Sequence, residues 1–200
     1  MAAKRRGAVS RKTKETNVQV EVDLDGAGEA KISTGIGMLD HLLSQVARHG
    51  LINITIKATG DLSTDEHHTV EDVGLALGRA LDEALGKREG IVRMADATVP
   101  LDEALASVAI DLGGRGYAVV DVAWTGERVG ELPTDLVSHL LWSFASEGKL
   151  TVHARVLSGA NDHHKAEALF KALGRALGAA TRPEPRAAGQ APSTKGKLKA

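Results

Sequence analysis

His67-His68-Thr69-Val70-Glu71-Asp72-Val73-Gly74-Leu75-Ala76-Leu77-Gly78-Arg79-Ala80-Leu81 returns 96 residues later as His163-His164-Lys165-Ala166-Glu167-Ala168-Leu169-Phe170-Lys171-Ala172-Leu173-Gly174-Arg175-Ala176-Leu177, with nine of fifteen positions identical and no gap. Upstream, Asp40-His41-Leu42-Leu43 matches Ser138-His139-Leu140-Leu141 at an offset of 98. The two-residue difference fits in the loops before each histidine pair. Self-similarity on this scale marks a duplication, so the fold is set by one half and by how two copies pack.

Each half reads alike. Met38 to His49, apolar at 38, 39, 42, 43 and 46, has helical period, and Gly50 is placed to end it as a C′ residue. Leu51 to Ile56 alternates as a half-buried strand, the polar loop Gly60 to Asp65 follows, and a second helix is predicted from about His68 to Leu85. The second half gives a helix over 135–146, Gly148, a strand over 150–157, a loop over 158–162 and a helix over 164–179. Val18, Val20, Val22 and Leu24 predict a further strand, with Asp25-Gly26 turning the chain into a hairpin toward Ala30-Lys31-Ile32. Residues 106–112 and 117–122 predict another hairpin around Gly113-Gly114-Arg115-Gly116. The expected fold is α+β: two duplicated half-domains, each a small mixed sheet covered on one face by helices. The predicted boundaries are a basic arm 1–14, half-repeats 15–90 and 91–180, and a basic tail 181–200, all in one compact domain.

Composition narrows the function. The chain has 200 residues, 42% apolar and 26% charged, enough for a real core. It has no cysteine, which excludes disulfides and thiolate metal sites and makes a reducing cytoplasm the default expectation. No apolar run approaches a membrane span, and Met1-Ala2-Ala3-Lys4-Arg5-Arg6 leads into no signal-like segment. The net charge of −1 hides basic ends: six Lys/Arg within residues 1–14, and five against Glu184 alone within 181–200. The body between them holds 14 basic and 25 acidic groups, and the whole chain only five aromatics. Such a body repels phosphate backbone and offers little for bases to stack on, so nucleic acid is not the expected partner.

Six of the eight histidines form three pairs superposed by the repeat: His41 with His139, His67 with His163, His68 with His164; Glu71 and Glu167 superpose too. Within one unit the glutamate lies three and four residues beyond the histidines, within reach of both on a helix surface. Adjacent histidines point about 100° apart. They suit two ions better than one. If the halves pack about a pseudo-twofold, one histidine of each pair joins the other half's histidine and glutamate. With His41 and His139 this predicts two equivalent sites, each of three imidazoles and a carboxylate. A single His-His pair on a helix is more often solvated surface; recurrence of the pairs, the glutamate and the third histidine together favours a metal. That donor set suits manganese, iron, cobalt or zinc, and leaves coordination positions open for a substrate. His49 and His153 have no repeat counterparts, and His153 reads as structural.

Basic residues in an acidic body are candidates for an anionic substrate. Arg93 follows Gly90-Ile91-Val92, Arg115 sits in a glycine-rich turn, and Lys171 replaces the Leu75 of the other copy. Guanidinium forks suit phosphate. The tail Pro192-Ser193-Thr194-Lys195-Gly196-Lys197 offers hydroxyls, a turn and an ammonium.

These residues resemble the imidazoleglycerol-phosphate dehydratase family over nearly the whole chain. The likeness is carried by Arg11 to Thr16, Thr34-Gly35-Ile36-Gly37 through Asp40-His41, and Gly60-Asp61 into His67-His68-Thr69-Val70-Glu71-Asp72. It continues through Gly90 to Arg93, Val99-Pro100-Leu101-Asp102-Glu103, Asp111 to Arg115, Asn161-Asp162-His163-His164 and Pro192-Ser193-Thr194-Lys195-Gly196. Ser63, Met38-Leu39 and Gly116 depart from the family's usual residues, and none is a proposed ligand. The resemblance implies two manganese ions per active site, held by His41, His67, His68, Glu71, His139, His163, His164 and Glu167. It implies substrate phosphate on Arg93 and Arg115, helped by Ser193, Thr194 and Lys195, with Glu15, His41, His49 and Lys171 as further substrate contacts. It also implies a shell of 24 subunits with active sites between them.

The implied reaction dehydrates imidazoleglycerol phosphate to imidazole acetol phosphate in histidine biosynthesis. No carbonyl acidifies the departing carbon-bound proton, so the imidazole ring must supply electrons. Cations at the ring nitrogens favour imidazolate, which expels hydroxide to give a diazafulvene, after which a base takes the proton. Glu15 is the candidate base, with His41 and Lys171 as further catalytic candidates. The rivals are a dinuclear metallohydrolase of a phosphorylated small molecule and a metal-binding shell protein. The first is disfavoured by terminal imidazoles with one carboxylate per ion, the second by open coordination positions beside anion-binding groups.

Overall fold

The computed structural model describes residues 5–195 and Leu198. The first half contains β1 (Arg6–Lys12), β2 (Thr16–Asp23), β3 (Ala30–Ser33), α1 (Gly37–Gly50), β4 (Asn53–Gly60) and α2 (His67–Leu85). The second contains β5 (Met94–Leu101), β6 (Ala104–Asp111), β7 (Tyr117–Asp121), a short ribbon of β8 (Arg128–Val129) and β9 (Leu132–Pro133), α3 (Thr134–Gly148), β10 (Thr151–Ser158) and α4 (Asp162–Thr181). The two four-stranded sheets have the same order, β1-β2-β4-β3 and β5-β6-β10-β7. The duplication read from the helices therefore extends to all eight strands of these two sheets, the β8–β9 ribbon being an addition of the second half.

Alternation decides which face of each strand goes inward. Val18, Val20 and Val22 of β2 are buried while their neighbours are exposed, and Val20 and Val22 pair with Ile56 and Ile54 of β4. Neither expected hairpin forms. At Asp25-Gly26 the chain does not fold back onto β2; β3 crosses to the far side of β4 and pairs with it in parallel, Ile32 opposite Ile56. Asn53 Oδ1 pins the crossing by accepting from Ala27 and Glu29 backbone N–H groups, both at 2.9 Å. The residues around Gly113-Gly114 likewise lead to β7, which pairs in parallel with β10 rather than with β6. The gain is pairing: β4 lies hydrogen-bonded between β2 and β3, and β10 between β6 and β7, so neither is left as a sheet edge. A local turn signal carries no information about which strand lies next door. The hairpins that do form are β1–β2, built partly from the basic N-terminal segment, and β5–β6.

The helices fill the space between the sheets. α2 lies on β1 and β2 and packs on α3 of the other half, while α4 lies on β5 and β6 and packs on α1. Each helix–helix contact thus joins the two copies. Gly50 serves this crossing rather than a helix stop: a Cβ on it would lie 2.8 Å from the Gly174 carbonyl oxygen. The left-handed residue is Leu51 (φ 54°), and Lys149 (φ 49°) plays that part after α3. Leu42, Leu43, Leu81, Leu140 and Phe170 are fully buried in the shared core. No helix of the described residues is long and apolar enough to cross a membrane.

Candidate metal centres and anion-binding groups

The helix pairing brings together histidines far apart in the sequence, His41 with His163 and His67 with His139. α1 presents His41 to the N-terminal turn of α4, where His163 and Glu167 share a face, and the three donor atoms lie within 4.8 Å of one another. α3 presents His139 to α2 in the same way, giving His67, Glu71 and His139 within the same limit. The imidazole centroids are 5.6 Å apart for His41 and His163, and 4.7 Å for His67 and His139. Each cluster draws its His-x-x-x-Glu from one half and its other histidine from the opposite half, as the pseudo-twofold requires. The two share no donor, which leaves a carboxylate-bridged pair of ions without its bridge.

The expected fourth donor is missing from each cluster in a single chain. His68 and His164 point aside, their rings nearly perpendicular to those of His67 and His163 (84° and 82°), as the 100° step of a helix dictates. Both outward rings are held by carboxylates at Nδ1. His68 Nδ1 lies 3.1 Å from Asp61 Oδ2, and His164 Nδ1 lies 2.7 Å from Glu103 Oε2. A carboxylate there favours the proton on Nδ1 and leaves the Nε2 lone pair for an outside partner. These hydrogen bonds raise both histidine pKa values, and the bond from His164 lowers Glu103 to about 2. In the sequence Asp61 reads as part of a polar loop and Glu103 as part of a stretch carrying the family resemblance, neither as a partner of a histidine. Their role had no spacing signal, because one comes from the loop after β4 and the other from the β5–β6 turn.

The clusters fit a metal ion. Two imidazoles and a carboxylate converge in each, and His139 Nε2 is buried without a hydrogen-bond partner. In the other cluster Glu167 Oε2 lies 2.9 Å from His41 Nε2 and 3.2 Å from His163 Nε2, while Lys171 Nζ donates to Oε1 at 2.7 Å. Burial works to raise the Glu167 pKa, and the bonds from Lys171 and His41 overcome it, lowering the carboxyl to about 2. His49, about two turns beyond His41 on α1, has its pKa lowered by burial first and then by the charges of Lys171 and Arg175. Glu15, in the β1–β2 turn, lies 3.8 Å from His68 Nδ1 and so belongs with the outward ring rather than with the inner clusters.

Of the anion-binding candidates, Lys171 sits in the cluster itself, whereas Arg93 lies at the far end of α4. Arg93 (φ 74°) forks onto Asp111, with Nε to Oδ1 at 2.7 Å, and donates through Nη1 to the Pro192 carbonyl. Ser193, Thr194 and Lys195 follow Pro192 directly in the chain; Lys197 lies outside the described residues. Arg115 is exposed, next to a glycine that abuts Ser146 near the end of α3. The Arg93 N–H donates to the Ala180 carbonyl, so α4 separates it from His163 by about 25 Å at the rise of an α-helix. α2 runs in the same sense from His67, and Arg88 beyond its end binds the Leu112 carbonyl next to Asp111.

Fold and site together define a class: a duplicated α+β protein with paired His–His–Glu clusters, each assembled across the two copies. The family model described as imidazoleglycerol-phosphate dehydratase matches residues 34–177. The imidazoleglycerol-phosphate dehydratase of Dehalococcoides mccartyi (strain ATCC BAA-2266 / KCTC 15142 / 195) is 58% identical over 195 residues, covering 98% of each chain. That of Chloroflexus aggregans (strain MD-66 / DSM 9485) is 58% identical over 198 residues, covering 99% of this chain and 97% of the other. The Pyrococcus furiosus enzyme, crystallised in complex with (S)-C348, superposes with a TM-score of 0.81 at 37% identity, covering 95% of this chain and 100% of that one. The Staphylococcus aureus subsp. aureus N315 enzyme gives 0.80 at 32%, over 89% and 99%. The chain belongs to the imidazoleglycerol-phosphate dehydratase family, the hydro-lyases of histidine biosynthesis.

Proposed function

We propose that this chain dehydrates imidazoleglycerol phosphate to imidazole acetol phosphate at sites completed between copies of itself, with a divalent first-row ion in each His–His–Glu cluster. The observation that carries it is the division of labour along α4: metal donors at one end, phosphate-binding groups about 25 Å away at the other. The substrate spans no more than about 10 Å by its bond lengths, so one chain cannot hold both of its ends. A neighbouring copy can. The outward Nε2 atoms of His68 and His164 fit the same reading, as the fourth donors to ions held by neighbours. Manganese is the ion the family resemblance implies, and a shell of 24 subunits the assembly.

When bound, the ions supply positive charge at the imidazole ring nitrogens, which favours loss of the ring proton. The chain's own residues do the rest. Arg93, Arg115, Ser193, Thr194 and Lys195 hold the phosphate, fixing the carbon chain against the ring's position. Lys171 and His49 lie along the face of the α1–α4 pair where the substrate's hydroxyls would pass, with His41 beside them. Glu15 takes the proton from the neighbouring carbon, next to the one that loses its hydroxyl and itself still bearing a hydroxyl. That proton and the hydroxide leave as water, the remaining enol tautomerises to the ketone, and the ring regains its proton on release.

Incubating metal-loaded protein with the substrate tests this directly. Formation of the acetol phosphate, read as its enolate absorbance in alkali, is expected. Release of inorganic phosphate would identify a hydrolase instead, and an unchanged substrate a binding protein.

A further inference from the structure

The two clusters are equivalent by descent but not by surroundings. On α4 Lys171 stands one turn beyond Glu167 and donates to its Oε1 at 2.7 Å; on α2 the matching residue is half-buried Leu75. Glu167 is satisfied three times over, by Lys171, His41 and His163. Glu71 is not. Its Oε1 lies 3.7 Å from His139 Nε2, beyond a hydrogen bond, and that nitrogen is buried with no partner. A divalent ion entering the first cluster must displace or sit beside an ammonium and break two hydrogen bonds. Entering the second, it meets an uncompensated carboxylate and gives an orphaned nitrogen its partner.

Building on the metal reading above, we propose that the two clusters bind their ions unequally and in order. His67, Glu71 and His139 form the tight, first-filled site, and Lys171 makes His41, His163 and Glu167 the weak, second-filled one. The asymmetry rests on one of the six positions at which the aligned helices differ, Leu75 against Lys171. It lets one cation stay resident while the other equilibrates near the substrate-facing lysine.

Titrating Mn2+ into the metal-free, full-length protein tests the order, using calorimetry with free Mn2+ followed in parallel by its paramagnetic resonance signal. Two binding classes are expected, separated by about tenfold or more. His139→Gln should abolish the tight class and His163→Gln the weak one. Lys171→Leu should tighten the weak class toward the other, and Leu75→Lys should weaken the tight class. Lys171→Met, which keeps the alkyl stem, takes the place of Lys171→Leu if that variant does not fold. Two indistinguishable classes in the wild type, or a ratio unmoved by both Lys171 variants, overturns the inequality while leaving metal binding intact. Binding of no Mn2+ at all overturns the metal reading and this inference with it.

Discussion

At the scale of single residues, the outward histidines depend on carboxylates that the repeat does not share. Asp61 and Glu103 come from unrelated loops, yet each meets the Nδ1 of its histidine. Such outer partners set ring orientation, and losing one commonly costs 10- to 100-fold in metal affinity, so about that loss is expected for Asp61→Ala. Mn2+ titration beside His68→Ala checks it: an effect of His68→Ala without one of Asp61→Ala would confine Asp61 to the loop. Glu15 is the second residue at this scale. Glu15→Gln is expected to lower kcat by about 100-fold or more while metal content stays whole. Near-normal kcat with full metal would remove it from proton transfer.

Secondary-structure elements hold the clusters still, and the N-terminus of α4 shows how. Asp162 accepts from the backbone N–H groups of Thr125 and Gly126 and from buried Lys165 Nζ, tying the helix to the segment before β8. Asn161 caps the same turn by accepting from the His163 N–H at 2.9 Å. Burial works to raise the Asp162 pKa, and these bonds lower it to about 2, against 3.8 for the free group. A depressed carboxylate stabilises the fold above its unfolded pKa and loses that contribution as pH falls through the folded one. The wild-type melting temperature should therefore fall between about pH 4 and pH 2, and Asp162→Asn should lower it at neutral pH while flattening this acid limb. Thermal unfolding across that range decides the matter; an unchanged limb would show that Asp162 does not clamp the helix.

For the whole molecule the decisive fact is that the His41–His163–Glu167 cluster and Arg93, the proposed phosphate ligand, lie at opposite ends of α4. Arg93→Ala and His139→Ala chains should each be inactive alone. Refolded together in equal amounts, they should regain activity, up to about a quarter of wild type if each site takes one end from each of two copies. Native mass should show mixed assemblies. No recovery in such mixtures would argue that one chain supplies the whole site. The basic ends divide in the same way: Arg5, Arg6 and Arg11 pair with Asp25, Asp23 and Asp72 within the chain, while Lys12, Lys14, Arg182 and Lys195 are exposed.

The duplication, the four helices, the central strands and the six side chains that meet in the two clusters were legible in the sequence. They are local or repeated patterns: apolar period, adjacency of His-His, and a glutamate one turn on. Strand order was not legible, because the Asp25-Gly26 and Gly113-Gly114 turns look the same whether the next strand pairs with the last one or crosses over it. Nor was the partition of each histidine pair. The 100° helical step says that the two rings diverge, but only the packing of α1 on α4 and α3 on α2 fixes which ring faces inward. The tertiary structure alone placed Asp61 and Glu103 at Nδ1, set Lys171 on Glu167, and moved Arg93 to the far end of α4. Those are distances through space, and sequence spacing encodes them only after the chain has chosen its neighbours.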